Sequence, residues 1–136
     1  MTDDQLINKK FHVLQREKIL KDNDNFIYNE IANRINNSLE NIKFSLINCL
    51  EIGYTSNKIS RYLLSKYNTI DYYKADISSK VIKSLPNSKK NFVFDHDKWN
   101  LDKKKFDIII SNFYLHLTNN LNILFKNINH SLNKNG

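Results

Sequence analysis

The chain has 136 residues and a mass of 16.2 kDa, room for one domain at most, and its 40% hydrophobic and 12% aromatic content excludes a wholly disordered polymer. No apolar run reaches the roughly 18 residues that cross a bilayer, Met1-Thr2-Asp3-Asp4-Gln5 is no basic-then-apolar leader, and a lone cysteine, Cys49, excludes a disulfide framework or a multi-cysteine metal site. The net charge of +7 comes from 18 Lys and only 3 Arg, dispersed apart from Lys103-Lys104-Lys105, so it reads as a solvated surface and argues against nucleic acid as the partner. A reduced, cytoplasmic protein without a membrane span is expected.

With two Gly and one Pro, element boundaries must come from periodicity. Residues 5–20 place Leu6, Ile7, Phe11, Leu14 and Ile19 at near-helical spacing, which predicts an amphipathic helix. Asp22-Asn23-Asp24-Asn25 breaks it and offers capping side chains to a second helix, where Ile27, Ile31 and Ile35 share a face beside Phe26 and Leu39. Phe44–Ile52 is a short apolar run ending at Gly53, a buried strand. Ile59, Tyr62, Leu63 and Tyr67 suit a helix after it. Thr69–Ala75 reads as a second strand closed by Asp76. A short helix from Ser78 to Leu85 stops at Pro86. Residues 91–94 form a third strand and 106–111 a fourth. A last helix aligns Leu121, Leu124, Phe125, Ile128 and Leu132 and closes at Gly136.

Apolar strands alternating with helices predict an α/β fold, doubly wound, with a parallel sheet covered on both faces. Residues 1–43 form a helical amino-terminal extension to a sheet domain over 44–136. Such sheets bind ligands beyond the carboxyl ends of their strands. Three polar features lie there: Glu51-Ile52-Gly53, Asp76 and Asp95-His96-Asp97. A carboxylate ending the second strand suits the two hydroxyls of a ribose, and Asp76 follows Glu51 by 25 residues, near the interval of nucleotide-binding units. A glycine after the first strand lets a nucleoside approach the backbone. No dinucleotide fingerprint or phosphate loop is present. Neither His12 nor His130 has metal-ligand partners at useful spacing, His116 lacks a paired nucleophile, Cys49 should be buried and inert, and Trp99 should anchor packing beside the third strand.

Leu50-Glu51-Ile52-Gly53, Ala75-Asp76-Ile77-Ser78 and Phe106–Asn112 together resemble the class I S-adenosylmethionine-dependent methyltransferases. The nearest subfamily contains the biotin-pathway malonyl-carrier methyltransferase and the complex I assembly methyltransferase-like protein. Phe11 with the basic helix after it, Phe26-Ile27, Glu30-Ile31-Ala32 and Asn33-Arg34-Ile35 resemble its amino-terminal helices; Ser111–Leu117 and Leu132–Gly136 resemble its fourth strand and following helix end. The resemblance implies a Rossmann-like fold truncated after about four strands. It implies S-adenosylmethionine as cofactor, with Glu51, Gly53 and Tyr54 on its methionine side and Asp76 on the ribose. Ile77 would lie against the adenine and Asp97, or Asp95 two residues earlier, near its edge, and Ser111 with Asn112 would face the methyl donor; no catalytic side chain follows from it.

Two departures qualify the expectation. Where the family has a glycine-rich loop of the form G-x-G-x-G, this chain reads Gly53-Tyr54-Thr55-Ser56-Asn57, which should weaken cofactor binding or abolish it. The family has about seven strands, so the fourth strand here should be an apolar edge that invites a partner. The alternative function is therefore a non-enzymatic assembly or interaction protein, or one half of a split enzyme, using that edge.

Overall fold

The computed structural model describes residues 7–22, 25–42, 47–67 and 70–136. Its elements run α1 (Lys9–Lys21), α2 (Phe26–Leu39), β1 (Asn48–Ile52), α3 (Lys58–Lys66), β2 (Asp71–Asp76), α4 (Ser79–Lys83), β3 (Asn91–Val93), β4 (Ile108–Ser111) and α5 (Leu121–Ser131). Asn8, Ser78 and Asn120 cap α1, α4 and α5 by accepting amide hydrogens of the first turn. The Asn25 side chain makes no such bond to α2, and Asn23 and Asp24 lie outside the described residues. So do residues 43–46 and 68–69, which include the predicted starts of the first two strands at Phe44 and Thr69.

The strands form one parallel sheet in the order β3-β2-β1-β4. This is the α/β, Rossmann-like arrangement expected from the sequence, with α1 and α2 preceding the first strand. Successive β1 side chains alternate between faces. Cys49 joins a core with Ala32 and Leu39 of α2, Ile59 and Leu63 of α3, and Ile110. Leu50 and Ile52 join the other, with Ala75, Phe94, Phe106 and Tyr114. Ile59 and Leu63, four residues apart on α3, are both buried, and each contributes about 1.5–3 kcal/mol. The Trp99 ring stands edge-on to Phe94 at 5.2 Å, and its Nε1 donates to Ser131 Oγ at 2.9 Å, the anchor expected of it.

Among the described residues β4 is an edge strand. The predicted fourth strand began at Phe106; the regular ladder begins at Ile108, while Phe106 makes a lone parallel bridge to Leu132 after α5. The amide of Asn133 then donates to the Phe106 carbonyl at 2.8 Å, so the chain leaving α5 lies beside the entry to β4.

The first helix corrects the sequence reading most clearly. Helical spacing there predicts Phe11 and Leu14 on a buried face, yet they are 60% and 57% exposed, and His12 and Arg16 are the buried residues. The reason is chemical: the surface that α1 covers is the carboxyl end of the sheet, which presents carboxylates rather than aliphatic groups. On α5 Leu124 is buried but Leu121 and Phe125 are exposed, so its predicted apolar stripe is only partly used.

Candidate functional site

The strands deliver polar groups to one end of the sheet. At the end of β1, Glu51 is buried and accepts a hydrogen bond from the Tyr72 hydroxyl. Burial pushes its carboxyl up to about 7, against the opposing influence of that bond and of the Lys74 and Arg16 charges. Gly53 follows with φ 87°, the one residue of the 53–57 loop in the left-handed region. Tyr54 and Asn57 close that loop through a 2.6 Å bond from the Tyr54 hydroxyl to Asn57 Oδ1, while the Lys74 ammonium lies 4.7 Å from the Tyr54 ring centre. Thr55 and Asn57 escape the strain a glycine-type path would impose, because the loop bends at Gly53 alone.

Asp76, the last residue of β2, is wholly buried. Its Oδ2 accepts from Arg16 Nη2 at 2.9 Å, Arg16 Nε at 3.1 Å and the Tyr54 amide at 3.2 Å, and its Oδ1 accepts from the Ser78 amide at 3.0 Å. Arg16 also donates to the Tyr54 carbonyl at 2.8 Å and lies over the Tyr114 ring, 5.0 Å from its centre. Tyr114 arrives there because the chain turns sharply after β4, at Phe113, whose φ of 54° is costly for an aromatic residue. The buried Tyr114 hydroxyl accepts the Ile77 amide at 3.1 Å, and its ring fills the space that Gly53 leaves open.

Beyond β3, Asp97 forms an ion pair with Lys9 Nζ at 2.6 Å and accepts from the Thr118 hydroxyl and from the Asn119 amide and side chain at 3.1 and 3.0 Å. Burial alone would raise this carboxyl, but those donors outweigh it and hold it at about 2. Lys9 also reaches Asp95 at 3.0 Å. Between the two carboxylate clusters lie the rings of His12 and His96, both buried, packed against Tyr114 at 4.9 and 5.3 Å. Burial, followed by the nearby His96, Arg16 and Lys9, lowers His12 to about 4, so its ring is neutral at pH 7. A cleft of about 430 Å³ opens beside this cluster, lined by His12, Arg16, Tyr28, Phe113, Tyr114 and His116.

A methyltransferase-domain family model matches residues 22–136, most of the chain. The chain belongs to this methyltransferase-domain family. The same fold occurs in a Methanococcus maripaludis protein provisionally assigned as an S-adenosyl-L-methionine-dependent methyltransferase (TM-score 0.58, 18% identity, 95% of this chain and 61% of that one). It also occurs in the plantazolicin methyltransferase BpumL, solved with S-adenosylhomocysteine and a monoazolic desmethylplantazolicin analogue (TM-score 0.62, 17% identity, 91% of this chain and 56% of that one). At these identities the likeness is one of fold. The chain spans 61% and 56% of the lengths of these two proteins. None of the curated proteins matches it.

In this methyltransferase domain the predicted site residues fall into three groups. Gly53, Tyr54, Asp76 and Ile77 converge around Arg16 and Tyr114. Glu51 lies deeper, on the side of the sheet that carries Tyr72, and Ser111 lies across β1, paired with Ile52. Asp97 stands apart, joined to the rest through Lys9 of α1. Sequence reading missed Lys9, His12, Arg16 and Tyr114. Lys9, His12 and Arg16 recur at intervals of three and four residues, one helical face, and that spacing was the available signal.

The atoms present fit a polar ligand at one end of the site and oppose it at the other. Ser111 Oγ and Asn112 Oδ1 at the end of β4, and both ring nitrogens of His12, are buried without a hydrogen-bond partner, which suits added donors and acceptors. Asp76, by contrast, is already saturated at Oδ2, so in this arrangement it has no room for a ribose diol. Among the described residues no helix is long and apolar enough to cross a membrane.

Proposed function

We propose that this chain is an S-adenosylmethionine-dependent methyltransferase domain of the cytoplasm, with weakened activity or none on its own. The observation that supports it best is the convergence of Gly53, Tyr54, Asp76 and Ile77 at the carboxyl ends of β1 and β2, in a chain of this family. Asp76 would hold the ribose and Ile77 the adenine, with Asp97 at the adenine edge. Glu51, Gly53 and Tyr54 would line the methionine side, and Ser111 would face the methyl donor. When bound, the cofactor would supply an electrophilic methyl group; the protein's task is to position it and exclude water. The reduced glycine content of the 53–57 loop argues for low affinity. The likeness of the amino-terminal helices to the carrier-protein and complex I assembly subfamily is part of this proposal.

Thermal unfolding tests it. A ligand that binds only the folded state raises the midpoint as its concentration rises. S-adenosylhomocysteine should raise it in a dose-dependent way and ATP should not. No shift at millimolar S-adenosylhomocysteine would count against the reading.

A second reading draws on β4. Among the described residues it is an edge strand, and the chain spans little more than half of the similar structures. A protein partner that adds a strand to this edge, including a second half of the fold, would cover Ile108–Ser111. Lysine substitution at Ile109 should then disrupt co-purification with that partner; unaltered capture would dismiss the edge as its site.

A further inference from the structure

We propose that α1 is an autoinhibitory lid, whose Arg16 occupies the ribose carboxylate Asp76 and must leave it before S-adenosylmethionine can bind. The proposal rests on the cofactor reading above and concerns the regulation of that same site. Hydrophobic burial would turn Phe11 and Leu14 inward, and both are exposed. What faces inward is Lys9, His12 and Arg16, and each takes hold of a group at the carboxyl end of the sheet: Lys9 the carboxylates of Asp95 and Asp97, His12 the rings of Tyr114 and His96, Arg16 the carboxylate of Asp76.

Competition follows from hydrogen-bond capacity. A carboxylate oxygen offers about two lone-pair directions, and Asp76 Oδ2 already meets three donors while Oδ1 meets one. A vicinal diol needs acceptor positions on both oxygens. Removing the guanidinium takes away two of the three donors at Oδ2 and frees that oxygen to accept, and the Tyr54 and Ser78 amides then hold Asp76 in place for the incoming hydroxyls.

The docked state is also imperfect, as a displaceable contact must be. Both ring nitrogens of His12 and Nδ1 of His96 are buried at this interface without partners. A permanent packing face would satisfy or exclude them. The lid thus combines one strong pair, Arg16 with Asp76, and a poorly satisfied surround that lowers the cost of opening.

The test measures binding and helix exposure in the full chain with S-adenosylhomocysteine as probe. Arg16→Gln should bind it at least tenfold more tightly than the wild type in calorimetric titration. In the wild type, hydrogen exchange over Lys9–Lys21 should quicken as the probe saturates, while the amides of residues 53–55 and 76–78 become protected. The exchange measurement needs no variant, so it decides the question even if Arg16→Gln fails to fold. Binding with α1 unchanged or better protected overturns the lid and leaves the cofactor reading standing. Absence of binding in wild type and folded variant alike, at millimolar probe, overturns both.

Discussion

A Cβ atom placed on Gly53 would lie 2.5 Å from Cδ2 of Tyr114. The sequence suggests that this glycine keeps the backbone clear for a nucleoside; in the structure the cleared space is taken by a side chain of the same protein. Gly53→Ala must therefore both hold φ near 87° with a side chain and displace the Tyr114 ring. We expect a loss of about 3 kcal/mol or more in urea unfolding, combining backbone strain with overpacking. Tyr114→Ala in the same chain should recover the steric part, so the double variant should be less destabilised than the sum of the singles. A Gly53→Ala protein within about 0.5 kcal/mol of the wild type would contradict the packing described.

The Arg16–Asp76 pair makes a separate prediction about stability. Both side chains are almost wholly buried. Asp76→Ala leaves a guanidinium without its partner and should cost about 3–5 kcal/mol, whereas Arg16→Met combined with Asp76→Leu should restore most of it. Equilibrium denaturation of the three variants checks this. A double variant as unstable as Asp76→Ala alone would show that hydrogen bonds to Asp76 from Tyr54 and Ser78, rather than the pair, dominate.

Glu51 sets a pH dependence. Its carboxyl is raised from about 4.5 to about 7 by burial. In that interval the native state binds more protons than the unfolded state, so stability falls as pH rises from about 4.5 to 7 and is flat above. Glu51→Gln keeps an acceptor for the Tyr72 hydroxyl and carries no charge. It should gain on the order of 3 kcal/mol over the wild type at pH 8 and nearly nothing at pH 4. Equal differences at the two pH values would contradict a raised carboxyl.

His12 works in the opposite sense. Its ring is lowered from 6.5 to about 4, so between those values the unfolded chain binds the extra proton and stability falls as pH falls. His12→Leu deletes no hydrogen bond, since neither ring nitrogen has a partner. The variant should match the wild type within about 1 kcal/mol at pH 7.5 and exceed it by roughly 2–3 kcal/mol at pH 4. A larger loss at pH 4 than at pH 7.5 would contradict a neutral, unpaired ring.

Much of the fold was legible because it depends on short-range pattern. The run ending at Ile52-Gly53, the run closed by Asp76 and the triple isoleucine of β4 announce buried strands, and helices fall between them. The face of α1 was not legible. Phe11 and Leu14 have the right spacing for a buried stripe, but the surface beneath the helix is made by Asp76, Asp95 and Asp97, sixty or more residues away. Periodicity records which side chains share a face; it does not record which face meets the sheet. Tyr114 was missed for a related reason. Its place under Gly53 depends on the turn at Phe113, an aromatic residue at positive φ that composition gives no cause to expect.

Calorimetric titration of the folded chain with S-adenosylmethionine and S-adenosylhomocysteine tests most directly whether the carboxyl end of this sheet is a cofactor site. Saturable heat with one ligand per chain is predicted for the wild type or for Arg16→Gln, and its loss in Asp76→Ala with secondary structure retained. Silence at millimolar ligand in both wild type and Arg16→Gln, or binding that Asp76→Ala leaves unchanged, would contradict a cofactor site there.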